Sequence, residues 1–172
     1  MMIKLTQGKT TLIDDDMAFL KQYKWYADHV SSKFSDKWYA MRRGSRNIIP
    51  RPTILLHRVI IEKKIGRSLK PFEQIDHIDH DGLNNSINNL RIVSASQNRY
   101  NQRPQNAPYK YSIYKGVSWD KARSKWTAKI YQDKTINIGR FESEIDAAIA
   151  YDKMAIKCFG KYAYLNFPPK TF

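Results

Sequence analysis

The most regular hydrophobic pattern in the chain lies towards its C-terminal end. Trp126, Ala128 and Ile130 alternate with polar or basic residues, which is the period of a β-strand with one apolar and one polar face. Residues 117–119 and 135–141 carry shorter patterns of the same kind, and short polar turns separate the three segments. We therefore predict a three-stranded antiparallel sheet whose second face is basic and polar.

A helical pattern follows this sheet. Small and apolar residues recur every three or four positions between Ser143, a favourable N-cap, and Gly160, a favourable C-cap. We expect one helix that packs on the apolar face of the sheet. Its inward stripe consists of Ala147, Ala148, Tyr151, Met154, Ala155 and Cys158.

The first 50 residues change between apolar and polar over shorter distances. Two hairpins of short strands are expected there. A helix between them begins after the acidic triplet Asp14-Asp15-Asp16, which offers an N-cap and a negatively charged first turn. The expected strands are 3–5, 11–13, 24–27 and 37–43, and the expected helix is 17–23.

Two further segments complete the predicted organisation. The segment 54–61 is mostly apolar and contains His57, and a lone histidine in such a segment is more often a packed core residue than a ligand. Residues 101–113 are polar, contain two prolines and show little periodicity, which indicates a linker. We predict an α+β protein with a first domain at 1–103, a linker at 104–111 and a second domain at 112–172.

Charge changes the expectation about ligands rather than about fold. The 172 residues include 30 Lys and Arg against 16 Asp and Glu, which gives a formal net charge of +14. Together with 13% aromatic residues, this excess indicates a polyanion, nucleic acid above all, as the partner. A single cysteine excludes an intrachain disulfide framework and a cysteine-rich zinc finger. No signal-peptide pattern or long apolar run is present, so we expect a cytoplasmic protein without membrane contact.

The candidate chemistry is concentrated at 75–91, where three aspartates, two histidines and four asparagines occur within seventeen positions. A calcium-binding EF-hand loop is disfavoured, because His77 and Asn88 would stand where carboxylates are required. Structural zinc bound by His77 and His80 has no cysteine to support it. The third interpretation is a one-metal phosphodiesterase, in which hard oxygen ligands hold a divalent cation and a neutral histidine takes a proton from water.

Asp76 and His77 are adjacent in this cluster. On a regular strand, neighbouring side chains point to opposite faces, so both can serve one site only at a strand end or a local distortion. The asparagine-rich turn that follows, with its Gly82, could allow this.

The motif runs Asp76-His77-Ile78-Asp79, then Leu83-Asn84-Asn85, then Asn88-Asn89-Leu90-Arg91, then Gln97-Asn98. In this order and spacing it resembles an HNH homing endonuclease of the subclass whose last histidine is replaced by asparagine. The resemblance covers about 54–101 and implies a ββα-metal unit preceded by a β-rich extension. It implies that Asp76 and Asn98 are metal ligands, that His77 is the general base, and that Asn89 braces the loop and orients the histidine. Amide and carboxylate oxygens favour Mg²⁺, with Mn²⁺ as the second choice, over Zn²⁺.

Several polar residues near the motif have two interpretations. Asp79 and His80 either line the site or face solvent. Four arginines either contact the DNA phosphates or lie on a solvated face. They are Arg42, Arg43, Arg91 and Arg99.

A second set of motifs lies in the C-terminal third, between Tyr114 and Pro168. They include Tyr114-Lys115-Gly116-Val117-Ser118-Trp119 and Ile138-Gly139-Arg140-Phe141. In combination they resemble an AP2/ERF DNA-binding domain, which implies that the predicted sheet lies in the major groove. The resemblance implies DNA contacts for four residues that fall at DNA-contacting positions of that family: Ser118, Lys129, Tyr131 and Asn137. Charge and exposure add Trp119, Lys121, Arg123, Lys125 and Arg140.

We therefore expect an endonuclease that cleaves double-stranded DNA to 5′-phosphate and 3′-hydroxyl ends, targeted by its second domain. One active site per chain predicts nicking by a monomer or a double-strand break by a homodimer, without a small-molecule cofactor. The resemblance points to a phage or mobile-element genome, and hence to the cytoplasm of a bacterial or phage-infected cell. Two alternatives stay open: a DNA-binding regulator with a decayed nuclease unit, and a restriction-type defence nuclease.

Overall fold

The computed structural model describes residues 1–32, 35–104 and 112–168. It is a mixed α+β structure of several small antiparallel sheets, as the sequence predicts. The chain divides into two compact units, Met1–Ala95 and Ser96–Phe172. Of the predicted linker at 104–111, residues 105–111 lie outside the described residues.

The first unit contains two hairpins, one α-helix and a short two-stranded sheet. The elements are β1 (Met2–Lys4), β2 (Thr10–Leu12), a 3₁₀ helix (Asp15–Gln22), β3 (Tyr26–Ser32), β4 (Ser35–Arg43), β5 (Thr53–Leu55), α1 (Leu56–Ile65), β6 (Gln74–His77), a 3₁₀ turn (Ile87–Asn89) and β7 (Leu90–Val93). Strands β1 and β2 pair with each other, β3, β4 and β5 form a sheet in that order, and β6 pairs with β7.

A hydrophobic core joins these elements. Leu20, Trp25, Leu56 and Ile60 are fully or almost fully buried, so the 3₁₀ helix, the first long hairpin and α1 share one apolar interior. The indole Nε1 of Trp25 donates to the carbonyl of Leu20 at 2.9 Å, which satisfies the one polar atom of that buried ring. Both predicted hairpins are confirmed.

The N-terminal hairpin also fixes the asparagine-rich loop between β6 and β7. The backbone N–H of Leu12 donates to the carbonyl of Leu83, and the N–H of Asn85 donates to the carbonyl of Leu12, each at 2.9 Å. Asp14 stands at the N-cap position of the 3₁₀ helix, as predicted, but its side chain makes no capping hydrogen bond. Instead its Oδ2 accepts the N–H of Ile87, a half-buried loop donor, at 2.6 Å.

The second unit is built on a three-stranded sheet covered by one long helix. The strands are β8 (Val117–Asp120), β9 (Lys125–Gln132) and β10 (Lys134–Phe141), with β9 in the middle. Helix α3 (Glu144–Phe159) begins where predicted, since the Ser143 side chain accepts the N–H groups of Ile145 and Asp146. The sheet and the helix bury Ala128, Ile130, Ala147 and Tyr151 between them. The predicted sheet-and-helix arrangement is thus confirmed.

Helix α2 (Ala95–Asn101) belongs to this second unit from Ser96 onwards. The ring of Tyr100 stacks on Phe159 with centroids 3.9 Å apart. The Nζ of Lys115 donates to the carbonyls of Tyr100 and Gln102, both at 2.7 Å, and so closes the C-terminal end of α2.

Residues 1–32, 35–104 and 112–168 contain no helix suited to crossing a membrane, since none of their helices combines the length and the apolar character that a bilayer crossing needs.

Candidate active site and nucleic-acid interface

Strand β6 ends at His77, and the two residues of predicted catalytic importance occupy its last two positions. Asp76 and His77 are both buried, each with 7% of its surface exposed. A strand end is one of the two situations in which the sequence allows adjacent side chains to serve one site. Beyond it, the loop turns back at once, since the N–H of His80 donates to the carbonyl of His77 at 3.0 Å.

The imidazole of His77 is held from one side by an amide. Its Nε2 lies 3.1 Å from Oδ1 of Asn85, a side chain with no exposed surface. Burial lowers the pKa of His77 below its ordinary value, although the hydrogen bond to Asn85 and the nearby aspartates act to raise it. The ring is therefore neutral near neutral pH, which is the state of a general base.

A second amide braces the loop itself. The Nδ2 of Asn89 donates to Oδ1 of Asp79 and to the carbonyl of Asn84, both at 2.8 Å, and its Oδ1 accepts the N–H of Asp79 at 3.0 Å. Partial burial acts to raise the pKa of Asp79, but hydrogen bonds from Asp81, Asn84 and Asn89 outweigh it and lower that pKa. Asp79 thus works as the anchor of the loop, a role that the sequence left open.

The Asp76 carboxylate is paired with an arginine of the neighbouring strand. Asp76 and Arg91 are register partners in the β6–β7 pair. The Arg91 Nε and Nη2 both reach Oδ2 of Asp76, at 2.8 and 2.6 Å. This pairing balances a carboxylate that burial would otherwise disfavour. It also places the guanidinium, one of the four arginines with two interpretations, directly at the candidate site.

Two aromatic side chains, His57 and Tyr39, lie next to the ring of His77. The ring centroid of His57 lies 5.2 Å from that of His77, at right angles to it, and that of Tyr39 lies 6.0 Å away. Burial, followed by the charge of Asp76, raises the pKa of Tyr39. Gly82 packs so closely on β4 that a Cβ atom there would collide with the Trp38 carbonyl and the Tyr39 ring. The loop, β4 and α1 therefore enclose the His77 ring.

The metal ligands expected from the motif are an aspartate and an asparagine. Asn98 lies in the middle of α2, in the second compact unit. Within the described residues, no group of three or more His, Cys, Asp or Glu side chains could hold a metal ion. Mg²⁺ does not require such a group, because it is commonly bound by one or two carboxylates together with water and substrate phosphate. The buried Asp76 carboxylate fits that chemistry.

The outer face of the C-terminal sheet carries part of the predicted DNA contacts. Trp119 lies instead opposite Trp126, whose ring packs on the core between sheet and helix. Lys129, Tyr131 and Asn137 are exposed on β9 and β10. A hollow of about 180 Å³ on this face is lined by Lys129, Asn137 and Arg140, among others. Thr127 faces the same way but is buried, and its hydroxyl is satisfied by the Ser118 hydroxyl at 2.9 Å and the Ser118 carbonyl at 3.0 Å.

The other residues predicted to contact DNA differ in the contacts that their side chains make within the protein. The Trp119 ring packs edge-on against Trp126, while Lys121 is exposed in the β8–β9 turn. In the first unit, Arg43 donates to Thr53, and Arg42 stacks over the Tyr23 ring at 4.5 Å. Three cations on the sheet form ion pairs: Arg123 and Arg140 with Asp120, and Lys125 with Glu142.

Comparison with known proteins identifies the region around Asp76 and His77. A family model described as HNH endonuclease matches residues 55–100. An uncharacterised HNH endonuclease of Acanthamoeba polyphaga mimivirus is 31% identical over 166 residues, which cover 94% of this chain and 78% of the viral protein. The chain belongs to the HNH endonuclease family. HNH nucleases generally use a divalent metal ion, which agrees with the hard oxygen ligands of the motif.

The C-terminal region of this HNH protein is similar to plant AP2/ERF proteins. An APETALA2-like protein of Oryza sativa is 38% identical over 64 residues, which cover 36% of this chain and 14% of the plant protein. Dehydration-responsive element-binding protein 2D of Arabidopsis thaliana is 35% identical over 91 residues, which cover 47% of this chain and 44% of that protein. The three-stranded sheet with its packed helix is consistent with this similarity.

Sequence reasoning missed two residues of the HNH site. Asn85 belongs to the asparagine-rich turn and has no predicted role of its own, yet its Oδ1 contacts Nε2 of His77, and its Nδ2 donates to the Thr11 hydroxyl in the N-terminal hairpin at 2.8 Å. No local signal distinguishes Asn85 from the other asparagines of the loop. Its burial depends on a strand 74 positions away, which a motif cannot reveal.

Proposed function

We propose that this HNH protein is a metal-dependent endonuclease that hydrolyses phosphodiester bonds of double-stranded DNA. The observation that supports this most strongly is the buried pair of Asp76 and His77 at the end of β6, with the imidazole held by an amide oxygen. A buried carboxylate beside a neutral, oriented imidazole is what a metal-assisted hydrolysis needs.

The proposed chemical step uses His77 as the general base. The imidazole takes a proton from a water molecule, and the resulting hydroxide attacks the phosphorus atom. The bond from phosphorus to the 3′ oxygen breaks, and the leaving oxygen takes up a proton. The products are a 5′-phosphate and a 3′-hydroxyl end. Asn89 contributes by keeping the loop closed around Asp79 rather than by touching the reacting atoms.

The family resemblance assigns Asp76 and Asn98 as the residues that would hold the divalent ion. When bound, Mg²⁺ stabilises the negative charge that develops on the leaving oxygen. The ββα arrangement fits the order β6, β7, α2 along the chain. We propose Mg²⁺ because carboxylate and amide oxygens are hard ligands, and Mn²⁺ shares that preference.

The C-terminal sheet is proposed to deliver the DNA. Its outer face presents Lys129, Tyr131 and Asn137, which combine a cation, an aromatic ring and an amide that can reach base edges. In this scheme residues 1–103 cut, residues 112–172 bind, and a monomer nicks one strand while a homodimer cuts both. A single long target site would mark a homing enzyme of a phage or mobile element, whereas many short sites would mark a defence nuclease.

A plasmid-nicking assay tests the proposal. Wild-type protein is expected to convert supercoiled plasmid to open circles or linear DNA with Mg²⁺ and to leave it intact with EDTA. His77→Ala is expected to bind the plasmid but to cut it at least about 100-fold more slowly, since general-base catalysis contributes factors of this size. Absence of Mg²⁺-dependent cutting by folded, DNA-binding wild-type protein would instead identify a DNA-binding regulator.

A further inference from the structure

The ring of His77 stands at the end of a chain of buried hydrogen bonds that begins in the N-terminal hairpin. The Thr11 hydroxyl donates to the carbonyl of Leu83 at 2.7 Å. The Asn85 Nδ2 lies 2.8 Å from the Thr11 hydroxyl, and the Asn85 Oδ1 lies 3.1 Å from Nε2 of His77. Thr11 and Asn85 have no exposed surface, so water does not compete for these bonds.

The direction of each bond in this chain is forced. A carbonyl oxygen can only accept, so the single hydroxyl proton of Thr11 is donated to the carbonyl of Leu83. The Thr11 oxygen must then accept a proton from Asn85, which fixes the amide nitrogen of Asn85 on that side. The carbonyl of Gly82, 3.4 Å from the same nitrogen, would repel an oxygen placed there. The amide oxygen of Asn85 therefore faces His77.

An amide oxygen facing Nε2 requires that Nε2 carries the proton. A neutral imidazole has one protonated and one basic nitrogen, so Nδ1 is left as the basic one. The alternative tautomer would set the lone pair of Nε2 against the lone pairs of the Asn85 oxygen in a buried position. Such an unmade hydrogen bond between two buried acceptors is strongly unfavourable.

We infer that Asn85 and Thr11 are positioning residues for the general base: together they select the tautomer of His77 that has its proton on Nε2 and its basic nitrogen at Nδ1. This inference rests on the proposed role of His77 in proton abstraction. It makes the N-terminal hairpin, which carries no side chain of the HNH motif, part of the machinery that prepares the base.

A purely structural role for Asn85 is the competing explanation. Its backbone N–H pairs with Leu12, so the residue anchors the loop whatever its side chain does. The two explanations differ in one observable. Loss of an anchor lowers stability and activity together, whereas loss of the hydrogen-bond chain changes which ring nitrogen of His77 carries the proton.

Two matched pairs of variants separate these explanations. Thr11→Ser keeps the hydroxyl, and Thr11→Val removes it with little change in volume. Asn85→Leu removes the acceptor towards His77, and Asn88→Leu makes the same change at an exposed position of the same loop. For each variant, the tautomer of His77 is read from the ring ¹⁵N shifts of metal-free protein, and kcat and KM are measured on plasmid with Mg²⁺.

In wild type, Thr11→Ser and Asn88→Leu, we expect a single tautomer with the proton on Nε2. In Thr11→Val and Asn85→Leu, a second population with the proton on Nδ1 appears. In these two variants kcat falls about 10- to 100-fold, as is usual for the loss of a residue that orients a functional histidine, while KM stays unchanged.

Two results would overturn the inference. The first is a wild-type His77 protonated on Nδ1. The second is a lowered kcat in Thr11→Val with the wild-type tautomer retained, which would assign Thr11 and Asn85 a structural role only. If Thr11→Val does not fold, Asn85→Leu with its control Asn88→Leu decides by the same readouts. Wild-type protein that shows the expected tautomer but cuts no DNA would refute the proposed function and leave the hydrogen-bond assignment standing.

Discussion

His57 places a second imidazole against the ring of His77. Its Nδ1 is shielded from solvent and has no hydrogen-bond partner among the described residues. Burial, followed by the charges of His77 and Arg58, lowers the pKa of His57 to about 3. His57 is therefore neutral in the folded protein at all but very acidic pH, which suits a packing residue and not a cation that contacts phosphate.

This shift makes the stability of the first unit sensitive to acid. Between pH 6.5 and about 3 the unfolded chain binds a proton on His57 that the folded chain does not, so the free energy of unfolding falls as the pH falls through that range. The contribution is fully present above pH 6.5. We expect His57→Phe to lose less stability on acidification than wild type, by up to about 1.4 kcal/mol per pH unit.

Urea unfolding of both proteins at several pH values between 7 and 4 measures this difference. Parallel stability curves for wild type and His57→Phe would show that His57 takes up its proton without unfolding.

At the same scale, the sequence pointed to the chemically distinctive residues but not to Asn85, the amide that contacts the His77 ring. Asp76 and His77 were identifiable because a carboxylate and an imidazole side by side have few purely structural uses. Asn85 was not, because its side chain resembles those of three neighbours in the loop and differs from them only in its buried partner, Thr11. Whether each predicted ligand binds metal stays a prediction.

Among the elements, the loop between β6 and β7 depends on two others for its shape. Its N-terminal part packs on β4 through Gly82, and its C-terminal part is held by Asp14 through the N–H of Ile87. A loop of this length would otherwise sample many conformations, and each contact removes some of them.

Asp14 provides a direct test of that support. Asp14→Ala leaves the Ile87 N–H without its charged acceptor and is expected to lower the free energy of unfolding by about 1.5–3 kcal/mol, the range for a hydrogen bond to a charged group. Asp16→Ala removes the same charge from an exposed position of the same 3₁₀ helix, and is expected to change it by no more than about 0.5 kcal/mol. Equal effects in urea unfolding would contradict the loop-holding role.

Element type was predictable where the hydrophobic period is long and regular. The alternation along β9 and the stripe along α3 both led to the observed elements, because burial on one side leaves a periodic trace. The apolar run 54–61 left no such trace, and the structure divides it between the end of β5 and the start of α1. The docking of the N-terminal hairpin on the loop was also beyond prediction, since backbone hydrogen bonds do not depend on side-chain type.

At the scale of the whole molecule, the excess of positive charge is distributed over both halves. Part of it is neutralised internally, as in the pairs of Arg91 with Asp76 and of Lys125 with Glu142. Lys129, which forms no ion pair among the described residues, is the exposed cation of the sheet face that we propose for contact with DNA. The logarithm of the DNA-binding constant is expected to fall linearly with the logarithm of the salt concentration, because each neutralised phosphate releases counterions.

Lys129→Ala is expected to weaken DNA binding and to reduce the slope of log Kd against log salt by about 1, the value for one lost phosphate contact. The cutting rate at saturating DNA is expected to stay unchanged. Lys153→Ala removes the same charge from the exposed side of α3 and serves as the control. Fluorescence anisotropy at several salt concentrations measures both slopes, and equal losses would argue against the sheet face as the binding surface.

The bond from Lys115 to the end of α2 has a practical consequence for engineering. A helix of seven residues is only marginally stable by itself. The carbonyl groups at the C-terminal end of α2 accept hydrogen bonds from the ammonium group of Lys115, which lies in the segment after residues 105–111. A chimera that grafts a foreign DNA-binding module after residue 104 would discard this ammonium group and the Phe159 ring that supports Tyr100. Retargeting by module exchange would thus loosen the helix that carries Asn98 unless the graft supplies replacements for both.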